Sequence, residues 1–393
     1  MSTTTTSTLE APTNTLDADY TSHPAALVKG GVCFAVRPPS LAMVLIPGIG
    51  CSLMYAAYYY IPNVEIPLVR YVAWAVYGYI QGQQMTGIWV VGRECRHGGF
   101  STNDYLNDTM GWILHTALLT PYFSWQSSHR RHHIYANNLA KDHNYVPLQI
   151  DKYASLKGVD FEHLEDMAED SPIYTFLRIV VQQLVGFPWY LTANITASQG
   201  SLANKNPPSK YPLGNSHFLP TSVLSRPEEW HLIIASDIGI GLMAAALWYV
   251  STKIGSQAVM LLYAITYLWA NHWIVAITYL HHTHPDVPKY EPEAWTFLKG
   301  ATATIDRNLG FSGKHFMHFM HNIADFHVIH HLFSRILQYY AEEATKAIMP
   351  LLGDAYHADK QRSFWGCIWE SFTECQYVVP DDPAAKPEDR AMY

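Results

Sequence analysis

Residues 230–279 read WHLIIASDIGIGLMAAALWYVSTKIGSQAVMLLYAITYLWANHWIVAITY, two apolar runs joined by a short polar link. The runs extend from Trp230 to Val250 and from Val259 to Tyr279, and Asp237 is the one charged residue in them. Each has the roughly 20 residues that an α-helix needs to cross the apolar core of a bilayer. Trp and Tyr at the end of the first run are typical of a membrane interface. The pair therefore predicts a transmembrane helical hairpin.

A second pair of apolar runs lies earlier in the chain, at about Ser40 to Tyr60 and Leu68 to Val91. Four such runs would be unusual as buried core helices of one soluble domain, so we interpret all four as membrane spans. Two weaker stretches, about Met110 to Trp125 and Ile173 to Thr192, are interrupted by proline and polar residues. We expect these to be re-entrant or interfacial helices.

The composition supports this interpretation and excludes several other classes of protein. Only 15% of the 393 residues are charged, whereas 13% are aromatic, so a highly charged disordered chain, a coiled coil and a collagen are excluded. The net charge is −8 and no run rich in Lys or Arg occurs, so we expect no nucleic-acid partner.

The distribution of basic residues predicts the orientation of the spans. The link between the first two spans, Ile61 to Pro67, contains no Lys or Arg, whereas the stretch from Gly92 to Pro172 contains seven such residues, Arg93, Arg96, Arg130, Arg131, Lys141, Lys152 and Lys157. By the positive-inside rule both termini and both long polar segments lie in the cytosol. We therefore predict an all-α integral membrane protein with four transmembrane helices in two hairpins and a cytosolic helical cap. Its predicted parts are a disordered cytosolic N-terminal tail (1–38), a membrane domain (39–353) and a cytosolic C-terminal tail (354–393).

Histidine is abundant, with 21 residues, and two segments of the predicted cap share the pattern H-x-x-H-H. On a helix this pattern places three imidazoles along one face, where they can bind a metal. Chance would produce only about 0.06 such pentapeptides in a chain of this composition. The two boxes are His129-Arg-Arg-His132-His133 and His327-Val-Ile-His330-His331.

A third histidine-rich region, His281-His282-Thr-His284, follows the fourth span and offers a further ligand. Asp306 and Asp325 are expected to orient ligand imidazoles through their second N–H group. An all-nitrogen site of this size suits zinc, copper or iron, although closed structural zinc sites usually contain cysteine.

Several longer stretches closely resemble the membrane fatty acid desaturase family, in particular its delta-12 (oleate) group of fungi and plants. The resemblance extends from about Ala73 to Gly353. It is carried by Thr86-Gly-Ile-Trp-Val90, Asn107-Asp-Thr-Met-Gly-Trp112, Pro121-Tyr-Phe-Ser-Trp125, Thr278-Tyr-Leu280 with His282-Thr-His-Pro285, Ala303-Thr-Ile-Asp-Arg307, and the run from His321 through the last box to Ser334.

This resemblance implies a four-span membrane enzyme of the endoplasmic reticulum that removes two hydrogens from an acyl lipid with O₂. It also implies a pair of irons and electrons from a b-type cytochrome. The implied catalytic and metal-binding residues are His97, His129, His132, His133, His327, His330 and His331, with His282 or His284 as a further metal ligand. Glu94 would help to orient the ligands, and Trp89, Trp112 and Trp125 are candidates for the wall of the acyl tunnel.

The chain departs from the family at the first histidine box. The family has H-E-C-G-H, whereas this chain has Arg93-Glu-Cys-Arg96-His97. Arginine has no lone pair for a metal and remains protonated, so a ligand is replaced by a fixed positive charge. A second departure is the segment 336–340, Ile-Leu-Gln-Tyr-Tyr, in place of a family segment that usually contains Pro-His-Tyr-His.

Three functions remain open from these residues. The chain is a lipid-modifying oxidoreductase with a rearranged site, or a diverged enzyme that acts on another hydrophobic substrate. Alternatively, it is an inactive paralogue that binds a lipid or a partner. The fold does not distinguish between these three functions, because one fold can support different activities and the site determines which one occurs.

Overall fold

The structure is a computed structural model that describes residues 41–158, 171–197, 215–310 and 320–393. The predicted disordered tail (1–38) lies outside the described residues. The helices are α1 (Leu41–Tyr60), α2 (Pro67–Arg96), α3 (Asp104–Thr116), α4 (Tyr122–Tyr135), α5 (Ile150–Lys157), α6 (Pro172–Ala193), α7 (Trp230–Ile254), α8 (Ser256–His282), α9 (Phe297–Thr302), α10 (His327–Leu332), α11 (Ala341–Leu352) and α12 (Phe364–Glu374).

Each of the four predicted spans coincides with a long helix: α1, α2, α7 and α8. Two helices of the described part are long and apolar enough to cross a membrane, Pro227–Ile254 and Ser256–His282. A π-helical turn at Met260–Ala264 interrupts the hydrogen-bond pattern of α8 without ending the helix. The mostly helical fold is confirmed, and the complete four-span topology stays a prediction.

Helices α2 and α8 pack side by side and run in the same direction, so their C-terminal ends meet. The Tyr77 hydroxyl donates to the backbone oxygen of Leu262 (3.0 Å). A Cβ at Gly82 would lie 2.2 Å from the Cβ of Trp269, so only glycine allows this close approach. Each of these ends carries a histidine of the predicted site, His97 just after α2 and His282 as the last residue of α8.

Helix α6 covers the weaker apolar stretch at 173–192 and has two different faces. Gln183, Phe187 and Leu191 are buried against the protein, whereas the opposite face exposes large apolar residues. The exposed set includes Ile173, Phe176, Leu177, Val181, Leu184, Val185 and Trp189. An uncovered apolar face of this size agrees with the expected position at a membrane interface.

Four short strands form two parallel pairs that join distant parts of the chain: β1 (Leu148–Gln149) with β4 (Tyr377–Val378), and β2 (Ile305–Arg307) with β3 (His357–Asp359). Helix α12 then inserts Phe364, Ile368 and Phe372 into the same core cluster as Trp273 and Leu280 of α8. The segment 354–393, which the sequence assigned to a cytosolic tail, therefore packs onto α8 and pairs with strands β1 and β2, and its cytosolic location stays a prediction.

Candidate metal centre

The box His129, His132 and His133 lies on α4, as the spacing predicts. Helix α4 begins after Pro121, and its apolar residues Tyr122 and Trp125 are buried. Residues three and four apart lie on one helical face, so the three imidazoles point the same way, and all three are buried. The Trp125 ring stacks on His129 with centroids 4.4 Å apart, which limits the rotation of that imidazole.

The second box lies on the short helix α10, whose six residues are all buried. Asp306 of β2 holds the beginning of this helix, because its carboxylate accepts from the backbone N–H of Val328 (2.9 Å). Its other oxygen accepts from the Tyr356 hydroxyl (2.6 Å). A carboxylate at a helix N-terminus satisfies a free backbone donor and complements the helix dipole.

Two further histidines come from the ends of the paired long helices. His97 directly follows α2, and His282 ends α8. The backbone becomes extended at Thr283, so His284 leaves the helical face. The ring nitrogens of His284 instead lie 3.8 Å from carboxylate oxygens, Nδ1 from Asp286 and Nε2 from Asp359. His284 therefore does not join the cluster of the other histidines.

Four imidazoles converge in what we call group A: His97, His129, His133 and His330. The Nε2 atom of His129 is 3.1 Å from that of His97 and 3.2 Å from that of His133. The Nε2 atoms of His133 and His330 are also 3.2 Å apart. Group A therefore combines one residue from the end of α2, two from α4 and one from α10.

Three imidazoles form group B: His132, His282 and His331. The Nε2 atoms of His132 and His282 are 3.2 Å apart. His327 lies at the edge of this group, with its Nε2 atom 3.0 Å from that of His282. The structure thus divides each H-x-x-H-H box between the two groups.

Both groups have the chemistry of a site for transition metals. Nitrogen atoms that share one metal at about 2.1 Å lie roughly 3.0–3.4 Å apart, which matches these Nε2 separations. Within the described residues, both ring nitrogens of buried His331 lack a hydrogen-bond partner, an arrangement that a bound metal would satisfy. Burial also lowers the pKa values of His129, His133 and His330 well below the usual range, so these rings are neutral and able to bind a metal.

Arg93 lies one helical turn before His97 and is buried with Glu94, its partner in an ion pair of 3.1 Å. Burial lowers the pKa values of His97 and His330 strongly, and the charge of Arg93 is the next largest cause for both. The same charge also lowers the pKa of His331 in group B. Arg93 is therefore a fixed cation whose field reaches both groups, and it opposes metal binding.

The carboxylate that contacts a box imidazole is Asp142, which the sequence reasoning missed. Its Oδ1 accepts from Nδ1 of His132 (2.8 Å), which leaves the Nε2 lone pair of that ring free for a metal. In the described part of the chain, the carboxylates of Glu94, Asp306 and Asp325 make no hydrogen bond to a box imidazole. Asp142 lies ten residues after His132 in a loop, so no helical spacing signals the contact.

An apolar cavity that opens outward adjoins both groups, and its empty space, together with the part continuous with solvent, is about 860 Å³. Trp89 and Trp125 lie in its wall, as expected, whereas the indole of Trp112 bonds to the backbone oxygen of Ala235 (3.1 Å). Five histidines of the site also line the cavity: His129, His132, His282, His327 and His331. Arg93 is the one permanently charged side chain among the described residues that line it.

Comparison with known proteins shows the family of this chain. The model of the family described as fatty acid desaturase matches residues 68–363. An oleate hydroxylase from Claviceps purpurea is 40% identical over 330 residues, which cover 82% of this chain and 69% of the relative.

Two further relatives are named as desaturases. A delta(12) fatty acid desaturase from Mortierella isabellina is 39% identical over 334 residues, or 83% of this chain and 80% of the relative. A delta(12)-fatty-acid desaturase from Arabidopsis thaliana is 38% identical over 333 residues, or 85% of this chain and 80% of the relative.

Proposed function

Because the chain belongs to the fatty acid desaturase family, in its delta-12 desaturase-like group, we propose that it introduces a double bond into an acyl chain with O₂. The observation that carries this proposal is the position of groups A and B at the wall of an apolar cavity. An alkyl chain in that cavity would place a methylene beside the histidines. A site that holds metals against an apolar pocket suits the oxidation of unactivated C–H bonds.

We assign the metal ligands to His97, His129, His133 and His330 in group A, and to His132, His282, His327 and His331 around group B. His284 is outside this assignment because it faces Asp359. The bound group would be a pair of irons, which supply O₂ activation. The overall change removes two hydrogens from the acyl chain, while two electrons and two protons from a donor complete the reduction of O₂ to two waters.

The chain's own residues bind and orient the substrate. Phe187, Ile274 and Val275 form an apolar wall that excludes water and aligns the methylenes of the acyl chain. Asp142 and the stacked Trp125 hold His132 and His129 in fixed orientations. The length and shape of this cavity select the carbons that react.

Hydroxylation is the second candidate, and one relative favours it. The Claviceps purpurea protein is an oleate hydroxylase, although it has an identity similar to that of the desaturases. Hydroxylation would insert one oxygen atom of O₂ into a C–H bond of the same methylene, while two electrons and two protons from the donor reduce the other oxygen atom to water. The residues that line the cavity suit both reactions, so the product must be measured.

Arg93 supports two further possibilities, a different hydrophobic substrate and the loss of catalysis. A cation in the cavity wall changes which chains fit, and its repulsion of metal weakens catalysis. These alternatives predict different metal contents and products.

The remaining features of the proposal follow from the family. We propose four membrane spans with both termini in the cytosol, a location in the endoplasmic reticulum and a b-type cytochrome as the electron donor. The exposed apolar face of α6 supports contact with lipid.

Expression in a desaturase-deficient yeast, together with metal analysis of the purified protein, tests the proposal. Two irons per chain and new dienoic lipid would support desaturation, whereas a hydroxylated acyl chain would identify the second candidate. Iron without altered fatty acids would indicate another substrate. A double variant, His132→Ala with His330→Ala, disrupts both groups and is the matched control. Wild-type protein that contains no iron and leaves the lipids unchanged would contradict the proposal.

A further inference from the structure

A buried lysine lies beside the histidine site. Only 6% of Lys289 is exposed, and its ammonium group donates to the backbone oxygen of His282 (2.5 Å) and to Oδ1 of Asn137. His282 is a member of group B. The ammonium therefore contacts the main chain of one potential metal ligand directly.

The second bond of Lys289 leads to another member of group B. Asn137 donates its backbone N–H to Oδ2 of Asp142 (2.8 Å), and Oδ1 of the same carboxylate accepts from Nδ1 of His132 (2.8 Å). The side-chain amide of Asn137 also donates to the backbone oxygens of Gly300 (2.8 Å) and Ala303 (2.5 Å), which fixes its orientation. The connection from Lys289 to His132 thus consists of buried hydrogen bonds.

The backbone of Lys289 is held independently by the C-terminal segment. Its N–H donates to the oxygen of Met392 (2.7 Å), and the N–H of Met392 donates to the oxygen of Lys289 (2.9 Å). Met392 is itself buried. This pairing therefore holds the backbone of Lys289, whereas Asn137 and His282 hold its ammonium group.

Hydrogen bonds connect this ammonium to two of the three residues of group B, His132 of α4 and His282 of α8. The bonds of the lysine reach no member of group A in the described chain. Removing the ammonium would leave buried acceptors at Asn137 and His282 without their donor, which lets the two ligand backbones separate.

We propose that Lys289 is a positioning residue that sets the geometry of group B, and thereby its metal affinity, without affecting group A. The inference rests on the proposed role of both groups as metal sites. Loss of a hydrogen-bond partner behind a metal ligand typically lowers metal affinity by about 10- to 100-fold. The effect of Lys289 should have this size and should be confined to one group.

Titration of the purified full chain with Co²⁺, followed by visible absorption, tests the proposal. The double variant His97→Ala with His133→Ala leaves two of the four imidazoles of group A and isolates group B. The double variant His282→Ala with His331→Ala leaves one of the three imidazoles of group B and isolates group A. In the first background, Lys289→Met should weaken Co²⁺ binding by roughly 10- to 100-fold and shift the cobalt spectrum. In the second background, the same substitution should change neither affinity nor spectrum.

Two lysine variants provide controls. Lys289→Arg retains donors for both acceptors and should restore part of the affinity. Lys299→Met removes a nearby ammonium that bonds to the backbone oxygen of Ala294 (3.1 Å) and should have no effect on either group. If Lys289→Met fails to fold, the isosteric variant Asp142→Asn interrupts the same connection and should weaken group B alone.

Equal Co²⁺ affinity of group B with and without the Lys289 ammonium would overturn the inference, as would an equal loss from both groups. Failure of the double variant His97→Ala with His133→Ala to bind Co²⁺ would also overturn it. If the wild-type chain binds no Co²⁺ at all, the proposed metal function fails as well, so the two failures are distinguishable.

Discussion

Arg93 and Glu94 form a buried ion pair of 3.1 Å at the end of α2, one helical turn before His97. The pair occupies the position where the family's first box has a histidine and a glutamate. Burial raises the pKa of Glu94 to about 7 against the opposing charge of Arg93. The carboxylate therefore compensates for the guanidinium only in part near neutral pH, and the remaining charge faces the histidines.

Arg93→Gln and Arg93→His separate the charge of this residue from the ligand it replaces. Arg93→Gln removes the repulsion between the guanidinium and a bound metal cation. Metal binding should tighten by about 2 kcal/mol, or roughly 30-fold, which is a modest part of the Coulomb energy between these charges at an effective dielectric of about 20. Arg93→His adds a ligand and should tighten binding further. Metal titration of the purified variants measures both effects.

The matched control for Arg93 is Arg131→Gln. Arg131 lies within the histidine box of α4, but its Nε donates away from the site, to the backbone oxygen of Lys141 (3.1 Å). Its removal should leave metal affinity unchanged. Equal affinities for Arg93→Gln and the wild type would show that the Arg93 charge does not limit metal binding.

Asp306→Asn should destabilise the protein by about 1–2 kcal/mol, because the carboxylate that holds α10 is lost. The midpoint of thermal unfolding in detergent measures the change. Metal affinity should fall with it, since α10 supplies three histidines. Asp354→Asn, at an exposed carboxylate, is the control, and an equal effect of both substitutions would argue against a special role for Asp306.

Gly186→Leu should shorten the acyl chain that the enzyme accepts. Gly186 lines the cavity, and a Cβ there would meet Val275 at an ordinary contact distance of 3.5 Å, so the larger side chain extends into the empty space. We expect less product from octadecenoyl than from tetradecenoyl substrates in a yeast lipid profile. Gly241→Leu, at an exposed position with nothing within 4 Å, should leave chain-length preference unchanged. A similar preference in both variants would place the acyl chain elsewhere.

Asp359 should make the fold sensitive to acid. Burial alone would raise the pKa of this carboxyl, but bonds from the Arg362 backbone and the charges of Arg307 and Arg362 outweigh it and hold the pKa below 3.8. Its stabilising effect is therefore present above about pH 4 and is lost as the pH falls through the folded-state pKa. Asp359→Asn should cost about 1–2 kcal/mol at pH 7 and almost nothing at the lowest pH.

The fold is sensitive to acid at Asp359 because this carboxylate is the anionic partner of the buried Arg307. Arg307 bonds to Asp359 (3.2 Å) and to the backbone oxygens of Leu280 (2.9 Å) and Thr283 (3.0 Å). Loss of the Asp359 charge leaves this guanidinium without its anionic partner. Thermal unfolding of the metal-free protein between pH 7 and pH 3 measures the difference. A difference between variant and wild type that is independent of pH would contradict the assignment.

The sequence predicted the helices that carry the site because their signals are local. Apolar runs of about 20 residues predict α7 and α8, and the H-x-x-H-H spacing predicts the face of α4 that presents His129, His132 and His133. Whether His282 or His284 joins the other histidines depended on where α8 ends. The extended backbone at Thr283 separates His284 from His282. A helix end within one residue is beyond what hydropathy and spacing can determine.

The sequence by itself determined the family, the long helices and the histidines capable of binding metal, because bilayer partitioning and helical periodicity act over neighbouring residues. Tertiary structure alone divided those histidines into groups A and B, and it brought the field of Arg93 onto both. It also joined Lys289 to Asn137, 152 residues earlier in the chain, and so to Asp142 and His132 of group B. Such contacts arise from the packing of α2, α4, α8 and α10, because hydrogen bonds and electrostatic interactions depend on distances in space rather than on separation along the chain.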